Sequence, residues 1–171
     1  RLSPEARNTI TIENDENKWG LEHSLELADH CALVPDLHHH WCREGDYISP
    51  SDDRILRIID SWRGVRPALH YSYSRDTALP EGFAHNDFPD MQQLLEAGHK
   101  KAKLRAHSDY YPNPVVNEYA LSFLDNFDIM CESKMKNLAS IDLYKYYKGK
   151  DNELFESNVR KKKSNPDPVI I

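Results

Sequence analysis

Four short apolar runs in this chain each break off at an acid or an imidazole, and a helix-like stretch follows each one. They are TITIEND, ALVPDLHHH, RPALHYS and FDIMCES, and the side chains at the breaks are Glu13, Asp36, His70 and Glu132. Parallel β/α proteins display their chemistry in this way, with functional groups at the C-terminal ends of strands. Two further imidazoles, His39 and His107, fall just past strand ends. Six nitrogen and oxygen ligands arriving from separate strands exceed what a structural ion needs. The pattern predicts a polynuclear metal centre.

The strands expected from alternation and apolar content are 8–13, 32–37, 66–71 and 127–132. Between them, the spacing of Leu21, Leu25, Leu27 and Ala28 predicts a helix over 20–31. A second helix is expected over 51–62, capped by Ser49-Pro50, and a third begins at Asn113-Pro114. A closing helix is expected over 134–147. Four β–α units in a row imply an α/β fold with parallel strands. Four strands are too few to close an eight-stranded barrel, so the expectation is a partial (β/α) TIM-like barrel or a small open sheet. The unpaired edges of such an arc invite a second copy of the chain or a missing N-terminal half barrel. A long insertion, roughly 72–112, carries one helix-like piece from Asp90 to Lys103 and reads as a lid or binding loop. Residues 1–148 are expected to form the domain. Residues 149–171, with Arg160-Lys161-Lys162-Lys163, are expected to be a polar tail.

The formal net charge of −6 argues against a generally basic nucleic-acid binder, although bound cations would reverse the local field. No apolar run approaches membrane-spanning length, and no segment reads as a signal peptide. The chain opens at Arg1, as a fragment or processed product would. The cysteines Cys31, Cys42 and Cys131 are odd in number and lack CxxC spacing, which fits a reducing cytoplasm. Hard divalent cations favour carboxylates, and Mn²⁺, Fe²⁺ and Zn²⁺ also accept imidazole, so the donor set points to these ions, with Mg²⁺ as a further choice. Each residue also has a plainer reading. Glu13 could contact Lys18, His70 could be a satisfied core imidazole, and Glu132 could pair with Lys134. His38 and His40 read as supports that orient ligands. Tyr71, Tyr73, Tyr110 and Tyr111 could stack on bases or simply pack.

The motifs IEND (12–15), DLHHH (36–40), HYS (70–72), RAHSDY (105–110) and IMCESKMK (129–136) occur in one order over most of the chain. With them the sequence resembles the UV damage endonuclease family of the xylose-isomerase-like barrel superfamily. The resemblance implies a barrel with up to three metals, often manganese, that incises damaged double-stranded DNA on the 5′ side of a lesion. It implies that Glu13 bridges two metals and that Asp36, His70 and Glu132 complete the central ion. His39 and His107 would hold a third ion near the attacked phosphate, which makes Glu13, Asp36 and His39 the catalytic set. Arg75, Arg105 and Lys134 are the candidates for DNA phosphates. Ala68 stands where family members can carry a lysine. Two rivals share the superfold: a sugar isomerase or epimerase using Glu13 and Glu132 as acid and base, and a catalytically silent barrel remnant.

Overall fold

The computed structural model describes the backbone of residues 3–157 and the side chains of residues 3–149. Four short strands, β1 (Thr11–Glu13), β2 (Ala32–Val34), β3 (Ala68–Tyr71) and β4 (Asp128–Cys131), form two parallel ladders, β1 with β2 and β3 with β4. A single parallel bridge between Asp36 and His70, closed by the His70 amide on Pro35 O at 2.9 Å, links the two ladders where β2 ends. The four strands therefore run in chain order, all parallel.

Helices cover one face of this arc. α1 (Pro4–Thr9) precedes β1, α2 (Leu21–Leu25) follows it, and α3 (Leu37–Glu44) and α4 (Asp53–Ser61) lie between β2 and β3. The insertion carries α5 (Met91–Glu96) and α6 (Lys101–Leu104). α7 (Pro114–Leu121) leads into β4, and α8 (Asn137–Ser157) closes the described chain. In α4, Ile55 and Ile58 recur at helical spacing and are fully buried, while Arg54 and Arg57 face outward. Leu33, Leu69, Tyr71 and Ile129 point from the strands into the same core. Strand alternation sends Thr11, Glu13, His70 and Met130 to the opposite face, and there Thr11, Glu13 and Met130 are exposed.

The strand positions agree with the apolar runs, but several local readings need correction. Asn8 and Thr9, expected to open the first strand, end α1, which Ser3 caps through its side chain with Pro4 at the first position. The helix expected over 20–31 stops at Leu25, and 26–31 continue as tight turns. Ser49-Pro50 forms a turn, and the cap of α4 is Asp52, whose carboxylate accepts from the Arg54 amide and pairs with its guanidinium at 2.9 Å. The Asp90–Lys103 piece is two helices, parted at Gly98, which adopts φ +89. Asn113 caps α7 as expected, accepting from the amides of Val115 and Val116. The closing helix begins at Asn137 and continues through Ser157, beyond Lys148 where the polar tail was expected to start. The basic run Arg160–Lys163 lies outside the described residues.

The largest difference lies at DLHHH, where the strand expected over 32–37 stops at Val34 and a helix follows that the sequence pattern does not indicate. Asp36 is the N-cap of α3, and its Oδ1 accepts from the His39 amide at 2.7 Å. Leu37 and Trp41, four apart, bury the inner face of that helix. The histidine run masks this spacing in the sequence, because polar rings occupy positions that are buried.

Candidate metal centre

Each functional side chain is placed by a strand end or by a backbone tie to one. Glu13 is the last residue of β1, Asp36 follows β2 after Pro35, His70 lies in β3 and Glu132 follows β4. Each offers one ligand atom, and these atoms all lie within 4.8 Å of one another. His70 Nδ1 is 3.1 Å from Glu13 Oε1 and 3.2 Å from Glu132 Oε1. His39, one turn into α3, places Nδ1 3.3 Å from Glu13 Oε1 and 3.6 Å from Asp36 Oδ2.

His107 reaches the site by a different route. The insertion closes at its neck as an antiparallel bridge between Ser74 and His107, with Arg75 N on Ala106 O at 2.7 Å and Ser108 N on Tyr73 O at 2.8 Å. The His107 ring thereby lies with its centroid 6.5 Å from that of His39 and 5.9 Å from that of His38. The same neck sets the Arg75 backbone against Ala106, the residue after Arg105. The Lys134 amide donates to Ser108 O at 3.0 Å, which ties the loop after β4 to this segment.

The electrostatics follow from three carboxylates sharing a half-buried space. Burial resists ionisation of Glu13, but hydrogen bonds and charge from His39 and His70 prevail and hold its carboxyl well below the usual range. Asp36 is fully enclosed. Burial pushes its pKa up to about 7, only partly offset by His39 and reinforced by Glu13 and Glu132. Burial disfavours the charged form of His39, yet its carboxylate neighbours raise it to about 9, and His70 is raised for the same reason. A protonated His39 thus balances part of the acidic charge. The donor set also fits a cation: Asp36 Oδ2 is buried without a hydrogen-bond partner, and three carboxylates with an imidazole are ligands that divalent ions accept.

Asn14 supports this arrangement and was not singled out by sequence reasoning beyond its place in IEND. It is 1 % exposed, donates through Nδ2 to Asp36 O at 3.1 Å and accepts from the Asp36 amide at 2.8 Å. Its own carbonyl accepts from His39 Nδ1 at 2.9 Å. Nothing in the sequence distinguishes a buried Asn from a turn Asn, so this clamp was not legible there. Replacing Asn14 by Ala leaves the buried Asp36 amide without a partner, while Asp36 O keeps the His40 amide at 3.1 Å. Unfolding in urea should show a loss of about 1–3 kcal/mol, and Asp36 should lose its fixed position.

The other histidines and tyrosines take mostly structural places. His38 is buried with Nε2 on Leu104 O at 3.1 Å, and burial pushes it down to about 3. His40 faces Asp46 at 2.9 Å. Cys42, fully buried, places Sγ 3.6 Å from His38 Nε2 rather than among the four clustered ligands. Tyr71 and Tyr111 stack on each other with centroids 4.7 Å apart, and Tyr73 is also buried. Of the four tyrosines considered for base stacking, Tyr110 is the exposed one. Lys101 donates from Nζ to Arg43 O at 2.6 Å, at the C-terminal end of α3.

Fold and site together define a parallel α/β protein that gathers a candidate metal centre at the C-terminal ends of its strands. More particularly, the chain belongs to the UV-endonuclease UvdE family, whose sequence model matches residues 1–160. It is 27% identical over 150 residues to the UV DNA damage endonuclease of Bacillus mycoides (strain KBAB4), covering 84% of this chain and 39% of that protein. The UV-damage endonuclease of Schizosaccharomyces pombe is 30% identical over 119 residues, covering 59% of this chain and 20% of that protein. The chain therefore spans about two fifths of the length of the Bacillus relative and a fifth of the yeast one. No solved structure matches it. Among the described residues, no helix is long and apolar enough to cross a membrane.

Proposed function

We propose that this chain supplies the catalytic face of a metal-dependent DNA repair endonuclease that incises duplex DNA 5′ to ultraviolet lesions. The observation that carries the proposal is the convergence of Glu13, Asp36, His70 and Glu132, from four separate strand ends, to within 4.8 Å. Membership of the UV-endonuclease family gives that convergence its chemical sense. When bound, divalent ions, Mn²⁺ first among them, activate water and neutralise charge on phosphate oxygens. Glu13 lies between His39 and His70 and would be the carboxylate to serve two ions if both were bound. Asp36 and Glu132 supply the remaining negative charge, and the Asn14 clamp keeps Asp36 oriented while substrate binds. His39 and His107 form the outer part of the site, with Arg75, Arg105 and Lys134 on the surrounding segments for the flanking phosphates.

The arc of β1 to β4, with an edge left unpaired at each end among the described residues, is read as half of an eight-stranded barrel. The remaining strands come from the rest of a longer protein or from a second copy of this chain. The isomerase alternative needs a closed apolar pocket of substrate size. The apolar-walled cavity behind His38, lined by Leu37, Trp41, Tyr71, Tyr73 and Tyr119, offers only about 10 Å³, room for one water. A silent remnant would hold no ion, so metal content of the purified protein separates it from the nuclease.

The deciding experiment is nicking of ultraviolet-irradiated, supercoiled DNA by the full-length protein with Mn²⁺, scored against undamaged DNA. Lesion-dependent nicks with a defined 5′ position support the reading. Absence of nicking with Mn²⁺, Zn²⁺, Fe²⁺ and Mg²⁺ alike overturns it.

Metal uptake should also depend on pH with a definite sign. His39 is raised to about 9 and Asp36 to about 7, so at neutral pH an arriving cation must displace protons from these groups. Apparent Mn²⁺ affinity should climb from about pH 6 to 9 and level off only above that, as His39 loses its proton. Calorimetry in two buffers of different ionisation enthalpy would count the protons released, and a flat profile would contradict this assignment.

A further inference from the structure

Glu16 stands three residues beyond the end of β1, outside every role assigned so far, yet it faces the metal centre. The turn that carries it is firmly set. Asp15 Oδ1 accepts from the amides of Asn17 and Lys18 at 2.6 Å each, and the Asp15 amide donates to Trp19 O at 2.8 Å. Asn17 Nδ2 donates to Glu16 Oε1 at 3.0 Å. The side chain of Glu16 is 21% exposed and has two charged neighbours. Oε2 lies 3.7 Å from His39 Nε2, and Oε1 lies 3.7 Å from Arg105 Nη1.

Neither distance is a hydrogen bond, and both have a chemical reading. His39 Nδ1 faces the Asn14 carbonyl at 2.9 Å, which can only accept, so the ring proton belongs on Nδ1. Nε2 is then the nitrogen whose proton an arriving cation can displace, and it points to Glu16 rather than to the four-ligand cluster. A nitrogen and a carboxylate oxygen that share one ion, each about 2.1 Å from it, stand roughly 3–4 Å apart. The observed pair fits that span. Arg105, for its part, is poorly satisfied: its Nε is buried without a hydrogen-bond partner, and its ion pair with Glu16 is long. A guanidinium in that state is ready to exchange its carboxylate for a better anion.

We propose that Glu16 couples cation binding beside His39 to phosphate capture by Arg105. Without a cation, Glu16 shares its charge between His39 and Arg105 and competes with phosphate for the guanidinium. A divalent ion taken up between His39 Nε2 and Glu16 Oε2 claims the carboxylate and reverses the local charge. Arg105 is then released to a phosphodiester oxygen. The duplex arm of this inference rests on the nuclease reading, whereas the cation arm does not.

The test uses the full-length protein and its Glu16→Gln and Arg105→Gln variants, each confirmed folded by circular dichroism. Mn²⁺ binding is followed by calorimetry, and binding of an undamaged 20-base-pair duplex by fluorescence anisotropy with and without Mn²⁺. Glu16→Gln should weaken one Mn²⁺ equivalent by about 10-fold or more while leaving the tighter one in place. It should also bind the duplex several-fold more tightly than wild type without Mn²⁺ and lose most of the Mn²⁺ enhancement. Arg105→Gln should retain both Mn²⁺ equivalents and lower the salt slope of duplex binding by about one. A Glu16→Gln isotherm identical to wild type, or a wild type that takes up a single Mn²⁺ or none, overturns the proposal. Wild type that binds two ions but no duplex defeats the nuclease reading, and Glu16 then stands or falls on the isotherm alone.

Discussion

Glu13→Gln should abolish nicking by the full-length, Mn²⁺-loaded protein while leaving its fold intact. Glu13 is the carboxylate shared by His39 and His70, and it is held ionised far below the ordinary range for a glutamate. The amide keeps the shape of the side chain and one acceptor oxygen but removes the negative charge from both sides of the site. Partners that merely orient a ligand change metal affinity or activity by about 10–100-fold, and a carboxylate serving two ions should exceed that. The comparison to make is single-turnover nicking, with Mn²⁺ content measured on the same preparations. Nicking at the wild-type rate by a variant of unchanged metal content would rule out the proposed role. His39→Ala, which touches the outer part of the site, should spare the tighter ion and slow turnover.

Asp36→Asn should act on stability and function in opposite directions. The carboxylate is fully buried, one oxygen lacks a hydrogen-bond partner, and its folded pKa is raised to about 7. An acid raised in this way opposes folding once it must ionise. The metal-free protein therefore loses stability as pH climbs through the unfolded value near 4, and the loss is complete above about 7. Asparagine removes this cost and remains as good an N-cap for α3 as aspartate. In EDTA at pH 8, urea unfolding should show Asp36→Asn more stable than wild type by about 1–3 kcal/mol, with the difference shrinking towards pH 4. The variant should gain little from added Mn²⁺, whereas wild type should gain strongly. A variant less stable than wild type in EDTA would mean that the Asp36 charge is already well compensated by protein.

The parts of the site that strand ends dictate were legible in the sequence. Apolar runs of β character that stop at Glu13, Asp36, His70 and Glu132 place those residues at one end of a parallel sheet, and the structure gathers them there. Asn113-Pro114 was equally legible, because a cap residue followed by proline has one physical meaning. The DLHHH helix was not, since its buried face is made of imidazoles that periodicity counts as polar. Nor were Asn14 and Glu16, whose roles depend on backbone and charge partners far along the chain, at Asp36 and Arg105. The strand boundary at Asn8 and the cap at Asp52 were missed for a further reason. Neighbouring residues offered competing capping groups, and three-dimensional context chose between them.

The neck between Ser74 and His107 also bears on how such a chain can change over time. Once Arg75 and Ser108 have made their backbone bonds to Ala106 and Tyr73, His107 is located by β3, and the buried Leu104, whose carbonyl accepts from Ser74 Oγ at 2.6 Å, adds a further tie. Doubling the length of that excursion adds only about 0.6 kcal/mol of closure entropy. Its interior can therefore lengthen, shorten or exchange helices, provided that Leu79, Met91, Leu94 and Leu104 or their successors still cover the core. The histidine stays on target regardless. What varies with the excursion is the surface beside the candidate metal centre, so length and shape can change there without moving the clustered side chains.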